Sequence, residues 1–552
     1  MKFRRGAALF FLILVTTVVH WPLDRADFSY DDRNLVQTNP AITSIGRALE
    51  GFRLPFPPSQ PERALYRPLT GLTYAVDAAF SGLQGAAFHR TNVALYALLV
   101  VLLHRLALAY RLGAGFAFAS ALLFAMHPIH TEAVDSVSGR SELLSLLFSV
   151  GALLLFLRVD ARGWRSPAAL GSAALYALAC LSKESGSVML AVLAVHAVAL
   201  RSPALPNPHA RLAALRPLAP HAAVLLGYIL LRSLVLGRFS PAAAVLGDAD
   251  LSTRFWTMGS VFWIDFVQLI APLRLELDFY YQARIGIVEA PTTDALLGWA
   301  ILVSVVAAAI GLARSQWRAP ADPRPARAAA VCAFALLLFP LFPTSHALPI
   351  GALFSERFLF APSLGFVLLA TLAGRALLRR SLPPRGVLVA ATLLTGSLAL
   401  AGAVRSHSRA LEWRDAVQLW RGAQLHLTDK RAYTNLAAAY LERGELDLAA
   451  AQITRALELD PHDVASLGNR GVLELQSGDL DAATETFEAL LKRDPGDALA
   501  WFNLGQTAQA AGDPETAASR FQRAVNLAPG DPRFQQALNT ARKQLPPLQG
   551  PR

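Results

Sequence analysis

Two adjacent carboxylates, Asp31 and Asp32, stand in the segment Phe28-Ser-Tyr-Asp-Asp-Arg-Asn34, shortly after an apolar run. Side by side they repel each other, which can raise the pKa of one of them. An aspartate so placed can take a proton from a hydroxyl group within hydrogen-bond reach. The same pair also suits an Asx-turn or a helix cap, and Asp-Asp is common. Further polar clusters recur beside apolar runs: His127-Pro-Ile-His130-Thr-Glu132, Gly139-Arg140-Ser-Glu142, Ser182-Lys183-Glu184, Arg232 and Ser355-Glu356-Arg357. Ionisable groups at membrane depth are costly and are kept mostly for pairing or for a pathway. Arginine there can grip a phosphate with a two-pronged fork, and lysine acts on it as a point charge. Taken singly, each residue is more often a helix-end side chain reaching for water or half of a structural ion pair. Together on one side they mark a polar site. The spacing of His127, His130 and Glu132 permits a metal, but Pro128 intervenes and no second ligand set is evident. A divalent metal is therefore not favoured, and no cofactor is required.

The elements that must position these groups are membrane helices. The 552 residues are 54% hydrophobic and 16% charged, with mean hydropathy +0.38, whereas soluble domains carry about 25% charged residues. Spanning a bilayer takes about 20 apolar residues. Expected spans are 7–23, 88–110, 114–132, 139–157, 166–182, 185–200, 217–236, 295–313, 328–343, 358–376 and 386–404. Lys2, Arg4 and Arg5 place the N-terminus inside by the positive-inside rule. The first span has the basic flank of a signal peptide, but no small-x-small site follows, so a retained anchor is expected. Arg105/Arg111, Arg158/Arg162/Arg165, Arg201/Arg211/Arg216, Arg314/Arg318/Arg324/Arg327 and Arg375/Arg379/Arg380/Arg385 then all fall on the inner side. Segment 254–272 would break this alternation if it crossed, so it is expected to re-enter or lie at the interface. The polar clusters, loop 24–87, segment 237–294 and everything after Arg405 are left outside. The net charge of +11 comes from arginines at the ends of apolar runs, which is a membrane pattern and not a nucleic-acid one. Cys180 and Cys332 lie within apolar runs and look like small core residues.

The chain changes character near residue 405. From Asp429 onward 13 Lys and Arg face 17 Asp and Glu, and a 34-residue period sets in. Pro461, Pro495 and Pro529 keep it, as do Gly444, Gly478 and Gly512, then Ala449, Ala483 and Ala517, then Tyr433, Leu467 and Trp501. This is the tetratricopeptide (TPR) period, with small residues where paired helices approach and proline where the second helix ends. The second unit departs from its neighbours at Arg470 and Glu474. The expected architecture is all-α: a polytopic membrane bundle of about 11 spans over 1–405, a linker helix over 406–429, three repeats and a capping helix over 430–545, and a tail over 546–552. TPR arrays usually present a concave face to a peptide or protein, although such an array can also pack on its own membrane domain or dimerise.

Tyr30-Asp-Asp-Arg-Asn34, Tyr66-Arg-Pro-Leu-Thr70, Phe88-His-Arg-Thr-Asn92, His127-Pro-Ile-His-Thr-Glu-Ala-Val134, Gly139-Arg-Ser-Glu-Leu-Leu144, Ser182-Lys-Glu-Ser-Gly186 and Glu356-Arg-Phe-Leu-Phe-Ala-Pro-Ser363 occur in one order. In these motifs, over about residues 7–545, the chain resembles the TMTC family of transmembrane, TPR-containing protein O-mannosyltransferases. The resemblance implies a GT-C glycosyltransferase fold and a polyprenyl-phosphate-linked sugar donor such as dolichyl phosphate mannose. It also implies that Asp31 is the general base and that Asp32 supports it or orients the acceptor. Arg67, Arg140, Lys183, Arg232 and Arg357 are then candidates to hold the donor phosphate, with His127, His130, Glu132, Glu184 and Glu356 as further site candidates. The expected reaction is inverting transfer to a Ser or Thr hydroxyl held by the repeats. A glycan or lipid acceptor, or a non-catalytic membrane scaffold, are the alternatives. The chain has three repeats where eukaryotic members usually carry more, and its Ala/Arg/Pro-rich composition points to a GC-rich bacterial genome. The expectation is thus a bacterial inner membrane with periplasmic repeats and an undecaprenyl donor; a eukaryotic source would mean the ER membrane with luminal repeats.

Overall fold

The computed structural model describes residues 2–21, 26–160, 162–201, 214–238, 241, 244–318, 325–347, 350–424, 429–529 and 531–545. Arg211, Arg324 and the tail 546–552 lie outside the described residues. The described chain is helical without a strand and divides into two compact units, Met1–Arg414 and Asp415–Arg552. The last helix of the first unit, Pro384–Glu412, runs on past Arg405.

Among the described residues of the first unit, seven helices are long and apolar enough to cross a membrane: Gly85–Ala109, Val137–Phe156, Arg216–Leu236, Thr293–Gln316, Ala326–Thr344, Glu356–Ser381 and Pro384–Glu412. The other four expected spans coincide with shorter apolar helices, Gly6–Val19, Ala114–Ala125, Pro167–Ser182 and Glu184–Ala199. At 1.5 Å per residue, helices of 10–17 residues reach about 15–26 Å. That is less than a hydrocarbon core of ~30 Å, so the expected count of eleven depends on these four. The most apolar windows of Thr293–Gln316 and Pro384–Glu412 are only 11% buried. Leu234 and Leu388 stand 75% and 68% exposed. Apolar helices with so little protein around them have lipid as their natural surroundings, and the chain is a multi-pass membrane protein.

Segment 254–272 forms the helix Leu251–Ile270, packed along Thr293–Arg318. It buries Thr257, Ser260, Asp265 and Gln268 and is not among the helices apolar enough to cross. The two helices nearly touch: a Cβ on Gly298 would collide with the Gly259 carbonyl oxygen. A Cβ on Gly365 would likewise run into the Leu337 amide nitrogen. In lipid no hydrophobic force draws helices together, so small residues that permit such approach decide the packing.

The second unit opens with the helix Ala416–Gln424. Three helix pairs follow: Lys430–Glu442 with Leu446–Leu459, Val464–Ser477 with Leu480–Arg493, and Ala498–Ala510 with Pro514–Leu527. The helix Pro532–Gln544 packs on the last of these. Asp429, Asp463, Asp497 and Asp531 cap alternate helices by accepting backbone N–H bonds. The departure in the second repeat has a physical reason. Arg470 pairs with Glu474 at 3.4 Å, and Glu474 accepts from Thr486 at 2.7 Å, so a polar network replaces the apolar contact of the neighbouring repeats.

Gly298→Leu is expected to lower stability by about 1–3 kcal/mol through forced separation of the two helices, read as a reduced thermal midpoint in detergent. Leu388→Ala, at an exposed position, serves as the control and should leave the midpoint in place. An unchanged midpoint in Gly298→Leu would contradict the close approach.

Candidate functional site

Three successive residues of the first loop point three ways. Tyr30 takes a left-handed backbone conformation, φ +52°, which is uncommon outside glycine. Its hydroxyl donates to Asp278. Asp32 turns inward and is fully buried. It accepts from Ser136 Oγ at 2.9 Å, from the Val137 and Ser138 amides at 3.1 and 2.6 Å, and from the Ser29 amide at 3.4 Å. It thereby fastens the loop to the turn between two helices. Burial pushes its pKa upward against these donors. Asp31, between them, accepts from Arg63 at 2.9 Å and from both terminal nitrogens of Arg357 at 3.3 and 3.2 Å. Burial alone would raise its pKa, but Arg357 and Arg63 outweigh that and hold it below the usual carboxylate range.

Asp31 faces a cavity of about 740 Å³. Five cationic side chains line it, Arg63, Arg67, Lys183, Arg232 and Arg357, against the carboxylates of Asp31, Glu62, Glu184 and Asp278. Each expected phosphate-holding cation in the cavity has a protein contact. Arg67 pairs with Glu184 at 3.1 Å and Lys183 with Glu142, while Arg232 donates to the Ala64 carbonyl at 3.2 Å. Glu132 accepts from the Arg357 amide at 2.9 Å and from Ser355 Oγ at 2.7 Å, which fixes the backbone that carries the Arg357 fork. Leu225, Tyr228, Ile229, Phe342 and Pro343 add an apolar wall.

The structure therefore brings Asp31, Arg67, Lys183, Glu184, Arg232 and Arg357 to one cavity, and places the other candidates elsewhere. Arg140 does not line it. Its guanidinium is fully buried and committed to Asn92 at 2.9 Å, the Phe88 carbonyl at 2.8 Å, Asp77 at 2.6 Å and the face of Tyr74 at 4.7 Å. Charge and side alone do not reveal that its neutralising partner is Asp77, on another helix. His130 lies between Tyr96 and Ser363, both at 2.7 Å. His127 contacts the Leu269 carbonyl at 3.0 Å and accepts from the Ile129 amide. Glu356 is buried and accepts from the Glu276 amide and from Tyr281 at 3.0 Å. Among the described residues no group of three His, Cys, Asp or Glu side chains is arranged to hold a metal.

Two lining residues give no signal in the sequence. Arg63 sits in a Pro-rich stretch with no apolar run to frame it, and Asp278 lies among other charged residues of segment 237–294, Arg274, Glu276 and Arg284, with nothing to set it apart. Asp278 is pushed up to about 6 by burial, against the opposing pull of Arg357. The cavity thus holds one carboxylate kept ionised and one displaced toward neutrality, the contrast from which acid and base roles are built.

Models of the tetratricopeptide repeat match residues 430–463 and 469–532. The human protein O-mannosyl-transferase TMTC3 is 32% identical over 195 residues, 34% of this chain and 21% of its own length. The mouse TMTC3 of the same name is 27% identical over 390 residues, 65% of this chain and 41% of its own. This chain thus spans less than half the length of these relatives. The solved structure of the TPR protein YrrB is 22% identical, covering 32% of this chain and 89% of its own, with a TM-score of 0.21.

Arg140→Met should cost about 1–3 kcal/mol by removing the buried fork from Asn92, the Phe88 carbonyl and Asp77, whose half-buried carboxylate keeps only Thr91, read as a lowered thermal midpoint in detergent; an unchanged midpoint would contradict the bracing role. Asp278 gives a pH test. Its raised pKa makes a contribution to stability that is present in full below the ordinary carboxylate pKa and is lost as pH rises through about 6. A protonated-carboxyl infrared band should disappear over that range, and should be missing from Asp278→Asn.

Proposed function

The chain belongs to the TMTC family of multi-pass membrane proteins with tetratricopeptide repeats, and from that premise we propose that it is a glycosyltransferase. It moves a sugar, mannose foremost, from a polyprenyl-phosphate donor to a Ser or Thr hydroxyl at the outer face of the membrane. The relatives' shared name, protein O-mannosyl-transferase, supports the sugar and the acceptor. The observation that carries the reading is Asp31, its side chain 17% exposed between two guanidiniums, facing a cavity ringed by cations.

In this reading the sugar phosphate enters beside Arg67, Lys183 and Arg232, with its polyprenyl chain along Leu225, Tyr228, Ile229 and Phe342. The acceptor hydroxyl reaches Asp31, which takes its proton as the acceptor oxygen bonds to the anomeric carbon. The bond from that carbon to the phosphate oxygen breaks with inversion, and the departing polyprenyl phosphate keeps the electron pair. The cations stabilise the charge gathering on it. Arriving phosphate also shares Arg357 with Asp31, which loosens the clamp and makes the carboxylate a better base. Asp32 holds the loop, and Arg140 braces the helices beneath it. Glu184 and Glu132 orient Arg67 and Arg357. The repeats bind the acceptor and raise its local concentration. The setting is a bacterial inner membrane with an undecaprenyl donor, the repeats lying in the periplasm.

The test is transfer from labelled polyprenyl-phosphate mannose to a Ser/Thr-rich peptide by the purified chain. Asp31→Asn should lower kcat by about 10²–10⁴-fold while folding is retained. Transfer that persists in the variant would remove Asp31 from the role of base. Transfer only to glycan or lipid acceptors would overturn the protein acceptor.

A further inference from the structure

The end of the helix Pro384–Glu412 and the two residues after it touch each part of the loop that aims Asp31. His407 bonds the Val19 carbonyl at 3.0 Å, where the first helix ends. The Arg414 carbonyl accepts from the Asp27 amide at 2.9 Å, four positions before Asp31. Trp413, buried to 1% exposure, sets its ring edge-on to Tyr30 with centroids 6.5 Å apart. Arg409, buried to 3%, covers the Trp413 ring at 5.8 Å and bonds Glu412. Tyr30 precedes Asp31 in the chain, so the neighbour of the cavity carboxylate is backed by this helix end.

A purely structural filler has no need of this chemistry. A fully charged guanidinium at 3% exposure is costly to bury, and an apolar side chain of similar size would pack against Trp413 more cheaply. It bonds Glu412 and lies over the Trp413 ring, so the charged side chain holds that ring in place. Trp413 in turn backs a Tyr30 whose left-handed backbone must be held by its surroundings.

We propose that Trp413, and the Arg409 that covers it, are positioning residues for Asp31 in its pair with Arg357, acting through Tyr30. The proposal rests on the reading that Asp31 is the reacting carboxylate. Arg409 holds the Trp413 ring, and Trp413 backs Tyr30 and so fixes the direction of Asp31 toward Arg357. Besides Arg357, the groups that face Asp31 are Arg63, Tyr30 and Asp278.

The experiment compares the full chain with Arg409→Met, Arg409→Lys, Trp413→Ala and Trp413→Phe. In Arg409→Met and Trp413→Ala, kcat for sugar transfer should fall about 10- to 100-fold with donor KM unchanged. The acid limb of kcat should move to higher pH by about 1 unit, because an Asp31 turned away from Arg357 is no longer held down by it. Arg409→Lys and Trp413→Phe, which keep the charge and the ring, should restore both. A lowered thermal midpoint with kcat per folded molecule and acid limb as in the wild type would overturn the proposal. Should Arg409→Met fail to fold, Arg409→Gln is read in the same way. A second readout needs no donor: the infrared titration of the Asp31 carboxylate, taken as the difference from Asp31→Asn. An unmoved midpoint in Arg409→Met and Trp413→Ala overturns the positioning role. A raised midpoint without transfer from any sugar donor keeps that role and sinks the glycosyltransferase reading instead.

Discussion

Asp31 holds its charge in a buried place only because Arg63 and Arg357 reach it from the first loop and from the start of a distant helix. A lone carboxylate at that depth would cost several kcal/mol and would take up a proton instead. Much of the surrounding structure keeps those two forks in place. Glu132 and Ser355 hold the backbone beneath Arg357, Asp32 draws the loop onto the 136–138 turn, and the left-handed Tyr30 separates the directions of the two aspartates. Adjacent residues of the same type thus have unlike fates: one is a brace sealed from solvent, and the other faces a cavity.

The cavity is electrostatically poised as well as roomy. Arg67, Lys183 and Arg357 are each matched by a carboxylate, so these cations stand neutralised before an anion arrives. In the proposed reaction a phosphate entering it would exchange partners with these pairs, the penalty of desolvating the cations having already been met by the fold. The apolar wall on one side and the ring of ions on the other suit a ligand with a charged head and a lipid tail.

The repeat array is legible because a fixed period recurs in four residue columns, and the helix pairs fall where those columns put them. Membrane helices are legible from apolar runs, although Ala114–Ala125 shows that an apolar run does not fix a full crossing length. The site is legible in part. Asp31, Arg67, Lys183, Arg232 and Arg357 can be picked out from type and side, but Arg140 looks the same by those measures. What distinguishes it is Asp77, the ring of Tyr74 and the backbone of Phe88, contacts that exist only once helices pack. Asp278 carries no signal at all, since its importance comes from Tyr30, a residue far away in sequence. Pairing across long sequence distances is what a single sequence does not display.

A structure of the chain with a non-transferable polyprenyl phosphonate sugar bound would probe the role of Asp31 without relying on turnover. The phosphonate is expected beside Arg67, Lys183 and Arg232, with the anomeric carbon turned toward Asp31 and the sugar inside the cavity. A phosphonate bound elsewhere, or a sugar turned away from Asp31 while the Asp31–Arg357 pair stays intact, would contradict that role.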